Sequence, residues 1–200
     1  MILGEEKATI VADTIRLLYL RGLTQIKGGN VSFIDRSNGL IYITPSKLPK
    51  HNIKPEDIAV IDINSRILRG NPSIEYMMHL EIYKSIDEAQ AVVHAHPPYT
   101  LSAIEAKLNL DTSILMEAKY KIKCITIVPP LEPGSRDLAV ATAKALAESK
   151  CNIAILYRHG IIAYSSIDPY DALDTIEALE DLAKITITIY NLKSLMLRVN

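Results

Sequence analysis

His94 and His96 close the run Ala91-Val92-Val93-His94-Ala95-His96 and are followed at once by Pro97-Pro98. Successive side chains on a β-strand point to opposite faces, so histidines two residues apart share a face and both imidazoles can reach one ion. Proline lacks the amide hydrogen that a strand ladder needs. The Pro97-Pro98 pair therefore ends the strand and leaves the histidines at a sheet rim. His159 has a similar context, after the strand-like run Asn152 to Tyr157 and just before Gly160. Three rim imidazoles with an open fourth position compose a typical catalytic zinc site, although other divalent metals also take imidazole. Each histidine alone also fits a half-exposed structural position; the context the three share points to a metal. The remaining two read differently. His51, in a loop rich in proline and lysine, reads as solvated, and His79, four residues after Glu75 on one helical face, as packed or hydrogen-bonded near the site rather than ligating.

Glu75 falls in the first turn of a helix that the spacing predicts over 74–84, with Ser73 as its N-cap, where a carboxylate complements the helix dipole. A carboxylate beside a metal can also take a proton from the carbon next to a polarised carbonyl, which makes Glu75 the candidate acid/base. Gly28-Gly29-Asn30-Val31-Ser32 opens a hairpin, and its glycines let backbone N–H groups converge on an anion, though the same run also describes a plain turn. Thr44-Pro45-Ser46-Lys47 follows the partner strand and brings hydroxyls and a cation toward Asn30. With Ser73 at a helix start, the residues Gly29, Asn30, Ser46, Lys47 and Ser73 form a candidate phosphate pocket.

The elements needed to position these groups can be read along the chain. Residues 5–20 carry an apolar helical stripe and Gly22 follows as a C-cap. Val31 to Asp35 and Leu40 to Thr44 form a hairpin over Asn38-Gly39, and Ile58 to Ile63 pairs with Arg66 to Leu68. Residues 98–108 read as a helix, Cys124 to Val128 as a strand, and Ser135-Arg136-Asp137 as the start of a helix through about residue 149. After the strand Ile161 to Tyr164, Asp168-Pro169 caps one long final helix. Early hairpins followed by alternating strands and helices predict a three-layer α/β/α domain over 1–200, with a central, mostly antiparallel or mixed sheet.

At 200 residues and 48% hydrophobic, the chain has an ample core for one such domain. A net charge of -1 without a basic block argues against nucleic acid as a partner. The apolar runs are too short to span a membrane, and Met1 to Lys7 does not resemble a signal peptide, so a cytoplasmic location is expected. Cys124 and Cys151 form no CxxC pair and read as reduced thiols serving as small core residues.

In chain order, GGNVS, ITPS, Ser73-Ile74-Glu75 followed by MMHLEIY, AVVHAHPP and RHGIIAY resemble the class II aldolase/adducin family over about residues 5–190. The resemblance implies zinc on His94, His96 and His159, Glu75 as acid/base, and Asn30, Ser46 and Ser73 at phosphate-binding positions. It also implies a homotetramer with active sites between subunits, and a phosphorylated sugar as substrate. The implied reaction is reversible cleavage of a ketose 1-phosphate, of the fuculose 1-phosphate kind, to dihydroxyacetone phosphate and a small aldehyde through a metal-stabilised enediolate. The chain departs from the family's aldolases at Lys47, where they carry glycine, at Ile74, where they carry a second serine, and at Leu115-Met116-Glu117, where they carry a tyrosine reaching a neighbouring subunit. Glu117 and Tyr120 are the candidates to replace that tyrosine. These departures keep two other reactions open on the same scaffold, 4-epimerisation of a pentulose phosphate and dehydration of methylthioribulose phosphate. Retention of the three histidines and Glu75 argues against an adducin-like structural module.

Overall fold

The structure is a computed structural model that describes residues 3–199. After helix α1 (Leu3–Leu20) come β1 (Asn30–Asp35), β2 (Leu40–Ile43), β3 (Ala59–Asp62) and β4 (Ile67–Arg69), which pair as successive antiparallel neighbours. Helix α2 (Tyr76–Ser85) leads to β5 (Ala91–Ala95), and α3 (Pro98–Glu105) and α4 (Met116–Lys121) precede β6 (Ile125–Val128). Helix α5 (Arg136–Ser149), β7 (Ile153–Leu156), β8 (Gly160–Ser165) and α6 (Pro169–Val199) complete the chain. The sheet order is β4-β3-β2-β1-β5-β8-β7-β6, antiparallel at every neighbouring pair except β6 with β7. This is the mixed α/β architecture expected from the sequence.

Strand alternation sends side chains into two cores. Val31, Phe33, Val93, Ala95, Ile153 and Ile155 pack with α1 and α6, whereas Ile34, Ile41, Val92, Ala154 and Ile162 pack with α2 and α5. His94 shares the parity of Val92 and therefore turns toward the α2 face, where Glu75 waits. Glu180 of α6, fully buried, accepts from Tyr99 N at 3.0 Å and from Thr100 N and Oγ1 at 2.7 and 2.8 Å. A carboxylate at those amides satisfies the free donors that open α3, and so fixes the chain just after His96-Pro97.

Three expectations need correction. Ser73 does not cap α2: the helix begins at Tyr76 with Glu75 at the cap position, and Ser73 Oγ lies 3.4 Å from Glu75 N. The cause is the bridge Pro45↔Pro72 together with Ser73 N donating to Thr44 O, which commits the backbone through Ser73 to the edge of β2. Helix α3 stops at Glu105 rather than 108, because Lys107 turns left-handed (φ 56) and Leu108 N closes back on Ala103 O at 2.9 Å. Cys124 and Cys151 are joined in a disulfide rather than standing as separate thiols; the parallel register Ile125↔Ile153 brings the residues preceding β6 and β7 side by side. Helix α4 has no counterpart in the sequence reading.

Candidate metal centre and anion cavity

Antiparallel pairing sets the site. Asn30 at the start of β1 lies directly opposite His94 in β5, and Ala95 pairs with Ile161 of β8, next to Gly160 and the His159 turn. The three histidines thereby meet: their ligand atoms lie within 4.8 Å of one another. Gly160 is needed for this approach, since a Cβ there would sit 2.8 Å from His94 Cε1 and 2.7 Å from His96 Cδ2. Gly29 is needed as well; it has φ +66, and a Cβ would meet the His94 carbonyl oxygen at 2.9 Å.

Hydrogen bonds at the far nitrogens fix the imidazoles. His94 Nδ1 donates to Ile161 O at 2.8 Å and His96 Nδ1 to Gln25 Oε1 at 2.7 Å. That leaves the two Nε2 lone pairs facing each other at 3.0 Å, an arrangement that repels unless a cation lies between them. His159 Nδ1 and Glu75 Oε1 are buried with no hydrogen-bond partner. Neutral imidazoles with oriented lone pairs beside a carboxylate are the donor set that zinc and similar ions accept, so these residues could hold such an ion. Burial, and then the neighbouring imidazoles of His94 and His159, push His96 down to about 3, so it stays neutral and ready to ligate. His159 is also lowered, first by burial and then by charge at His94.

Glu75 is 7% exposed. Its Oε2 lies 3.3 Å from His94 Nε2 and accepts from Asn30 Nδ2 at 2.8 Å, while Oε1 is 3.5 Å from His159 Nε2. Burial pushes this carboxyl up, but its neighbours His94 and His159 and the Asn30 hydrogen bond outweigh it and hold Glu75 below its ordinary value. His79, fully buried, engages both ring nitrogens in bonds to Asn30 and Ser32; His51 is exposed, its ring 5.7 Å from that of Tyr19.

A cavity of about 340 Å³ opens beside the histidines and is lined by Gly28, Gly29, Asn30, Ser46, Lys47, Ser73, Ile74, Glu75, His96 and His159, with Lys27, Lys50 and Pro133. It gathers all five residues of the expected phosphate pocket. The bridge that displaced the helix start also does useful work, since Ser46 N donating to Asn71 O and Ser73 N to Thr44 O hold the two serines at one edge. Lys47 takes the left-handed φ of 65 at the position where glycine was expected by resemblance. Lys50 was not singled out by sequence. It is 2% exposed, donates from Nζ to Pro45 O at 3.0 Å, and burial lowers it to about 8. Gln25 reaches the site from a loop and Lys50 from the start of a single 3-10 turn, Lys50–Asn52, and neither lies in a motif that would have marked it.

Glu117 and Tyr120 are not part of this cavity within one chain. Tyr120, 78% exposed, lines a different hollow with Asn152, Tyr164 and Ser165, at the end of β8 opposite Gly160, and Glu117 is exposed earlier on the same short helix.

Fold and site together describe an α/β protein whose buried Glu75 carboxylate faces a candidate metal site beside a polar cavity. The chain belongs to the family described as Class II Aldolase and Adducin N-terminal domain, which it matches over residues 9–187, and it is an enzyme of the class II aldolase type, a lyase. It is 38% identical to an L-fuculose phosphate aldolase of Methanococcus maripaludis over 89% of this chain and 94% of that protein. It is 30% identical to a 3-oxo-tetronate 4-phosphate decarboxylase of Haemophilus influenzae, over 89% of this chain and 85% of that one. A solved L-fuculose 1-phosphate aldolase superposes with a TM-score of 0.83 at 32% identity, covering 94% of this chain and 87% of the other.

Proposed function

We propose that the protein reversibly cleaves a ketose 1-phosphate to dihydroxyacetone phosphate and a small aldehyde, with zinc as the ion held by His94, His96 and His159. The observation that carries this reading is Glu75: a buried carboxylate 3.3 Å from one imidazole of the cluster and 3.5 Å from another, opening onto the cavity that holds Ser46, Lys47 and Ser73. A divalent ion there supplies a Lewis acid for a carbonyl oxygen and stabilises the negative charge that develops on it. The chain's own residues do the rest. Ser46, Ser73, Lys47, Lys50 and the Gly29 backbone bind the phosphate dianion and so fix the carbon next to the carbonyl beside Glu75. Asn30 orients Glu75, and its second Nδ2 hydrogen is available to a substrate oxygen. Glu75 takes the proton from that carbon in the condensation direction and returns it in cleavage.

Glu117 or Tyr120, entering from a neighbouring subunit of a homotetramer, handles the proton on the aldehyde side. Because sugar phosphates carry charges that do not cross a bilayer unaided, the reaction belongs in the cytoplasm. A second reading is favoured by the three lysines at the cavity, Lys27, Lys47 and Lys50: a substrate bearing a carboxylate besides its phosphate, as the name of the Haemophilus relative describes.

Incubating zinc-loaded protein with dihydroxyacetone phosphate in heavy water, with and without a panel of small aldehydes, tests the proposal. Condensation products and exchange of the carbon-bound hydrogen are expected; neither product nor exchange would overturn it, and release of carbon dioxide from a keto-acid phosphate would transfer support to the second reading. Glu75→Gln should keep its metal and lose exchange by about 100-fold or more. His94→Ala should lose metal and activity while remaining folded, and full activity after complete chelation would remove the metal from the reaction.

A further inference from the structure

Behind Glu75 and Asn30 lies a line of fully or nearly buried polar groups, His79, Ser32 and Tyr83, that the reaction above does not use. Tyr83 OH is 2.7 Å from Ser32 Oγ, Ser32 Oγ is 2.7 Å from His79 Nδ1, His79 Nε2 bonds Asn30 Oδ1, and Asn30 Nδ2 reaches Glu75 Oε2 at 2.8 Å. The direction of every hydrogen in this line follows from its last member. An ionised carboxylate only accepts, so Asn30 must turn its Nδ2 toward Glu75 and its Oδ1 toward His79. Asn30 Oδ1 only accepts, so His79 must carry its proton on Nε2. Its Nδ1 then holds a lone pair, Ser32 must donate to it, and Tyr83 must donate to Ser32. Burial, and then the neighbouring His94, lower His79 to about 3, so the ring keeps one proton, and the Asn30 Oδ1 acceptor places it on Nε2.

We propose that His79 is a positioning residue for Glu75: the one-way line from Tyr83 through Ser32 and His79 locks the Asn30 amide, which holds Oε2 and leaves Oε1 as the oxygen that carries the proton. The other end of the carboxylate agrees with this division, since Oε1 is buried with no partner and turned toward His159 and the cavity. An amide free to flip would present Oδ1 to the carboxylate and repel it, so without His79 the carboxylate would lose its fixed orientation. The inference rests on the reading of Glu75 as acid/base.

Two measurements on the zinc-loaded protein test it. With histidine labelled by nitrogen-15, and the His79 signals assigned by their loss in His79→Gln, the spectrum should show the Nε2–H tautomer; an Nδ1–H tautomer would overturn the relay. In exchange of dihydroxyacetone phosphate hydrogen with heavy water, His79→Leu should slow the maximal rate about 10- to 100-fold, with zinc content unchanged and the half-saturating concentration altered less than about threefold. His79→Gln, whose amide can still donate toward Asn30, should recover most of that loss. Adding His79→Leu to Asn30→Ala should cause no further loss. Wild-type exchange in His79→Leu, or a loss that merely follows zinc or folded protein, would sink the proposal. If His79→Leu does not fold, the tautomer and the His79→Gln rate decide. Absence of exchange in the wild-type protein would instead refute the role of Glu75, and the tautomer would still decide the direction of the relay.

Discussion

Lys50 shows what a single buried side chain adds to the cavity. Burial lowers it to about 8, while among the described residues its Nζ bonds Pro45 O alone. A phosphate dianion favours the ammonium form, so binding above pH 8 must take up a proton, and affinity for inorganic phosphate should fall as pH rises through about 8. Lys50→Met should weaken phosphate binding at pH 7 about 10-fold and flatten that decline, both readable by titration calorimetry. In the free protein the sign is reversed. The folded value lies below the ordinary 10.5, so folding penalises the charged form fully below pH 8 and the penalty disappears as pH rises toward 10.5. Stability of the wild type relative to Lys50→Met should therefore climb across that window, by at most about 3 kcal/mol, in denaturant titrations. None of this was legible in the sequence, whereas His94 and His96 were. A two-residue spacing closed by prolines encodes a shared face, but Gln25 arrives on a loop and Lys50 on a single 3-10 turn, whose paths no periodicity records.

The elements repeat this contrast. Strands and helices with strong local signals stand where composition put them: Ser135 accepts from Leu138 N at 3.1 Å to open α5, and Asp168 Oδ1 accepts from Asp171 N at 2.9 Å to open α6. Features made by contact between distant segments were hidden. The start of α2 is set by the bridge Pro45↔Pro72, and the disulfide depends on β6 lying parallel to β7, an adjacency that the intervening helix α5 does not reveal. The disulfide closes a loop with a sequence separation of 27 and fastens the edge strand β6, whose outer residue Ile127 is 57% exposed. By loop-closure entropy, reduction or Cys151→Ser should lower unfolding stability by about 3 kcal/mol. A matching drop in the denaturation midpoint under reductant, with alkylation of both thiols only after reduction, is the expected result; identical midpoints would mean that the bond contributes nothing.

The complete molecule raises the question of how Glu117 and Tyr120 could serve a site at the other end of the sheet. Tyr120 is 78% exposed on a helix pinned to α6 by Lys121, which bridges Asp171 at 3.0 Å and Asp174 at 2.7 Å, so it is presented outward on a fixed support. Beyond the last turns of α6 that meet the core, Tyr190, Leu192 and Leu195 are also largely exposed. Such apolar exposure on a rigid scaffold is what association between copies covers. If one subunit's Tyr120 completes its neighbour's Glu75 site in a ring of four, two separately inactive variants, Glu75→Gln and Tyr120→Phe, repair each other when mixed. Random assembly of equal amounts pairs an intact Glu75 with an intact neighbouring Tyr120 at roughly a quarter of the sites. Unfolded together and refolded, the mixture should recover about that fraction of wild-type activity, at a mass four times 22.2 kDa by light scattering. A hybrid as inactive as its parents would mean that both residues act within one subunit. Full activity of Tyr120→Phe alone would pass the aldehyde-side role to Glu117, and the same mixing with Glu117→Gln would then show whether that carboxylate crosses between subunits.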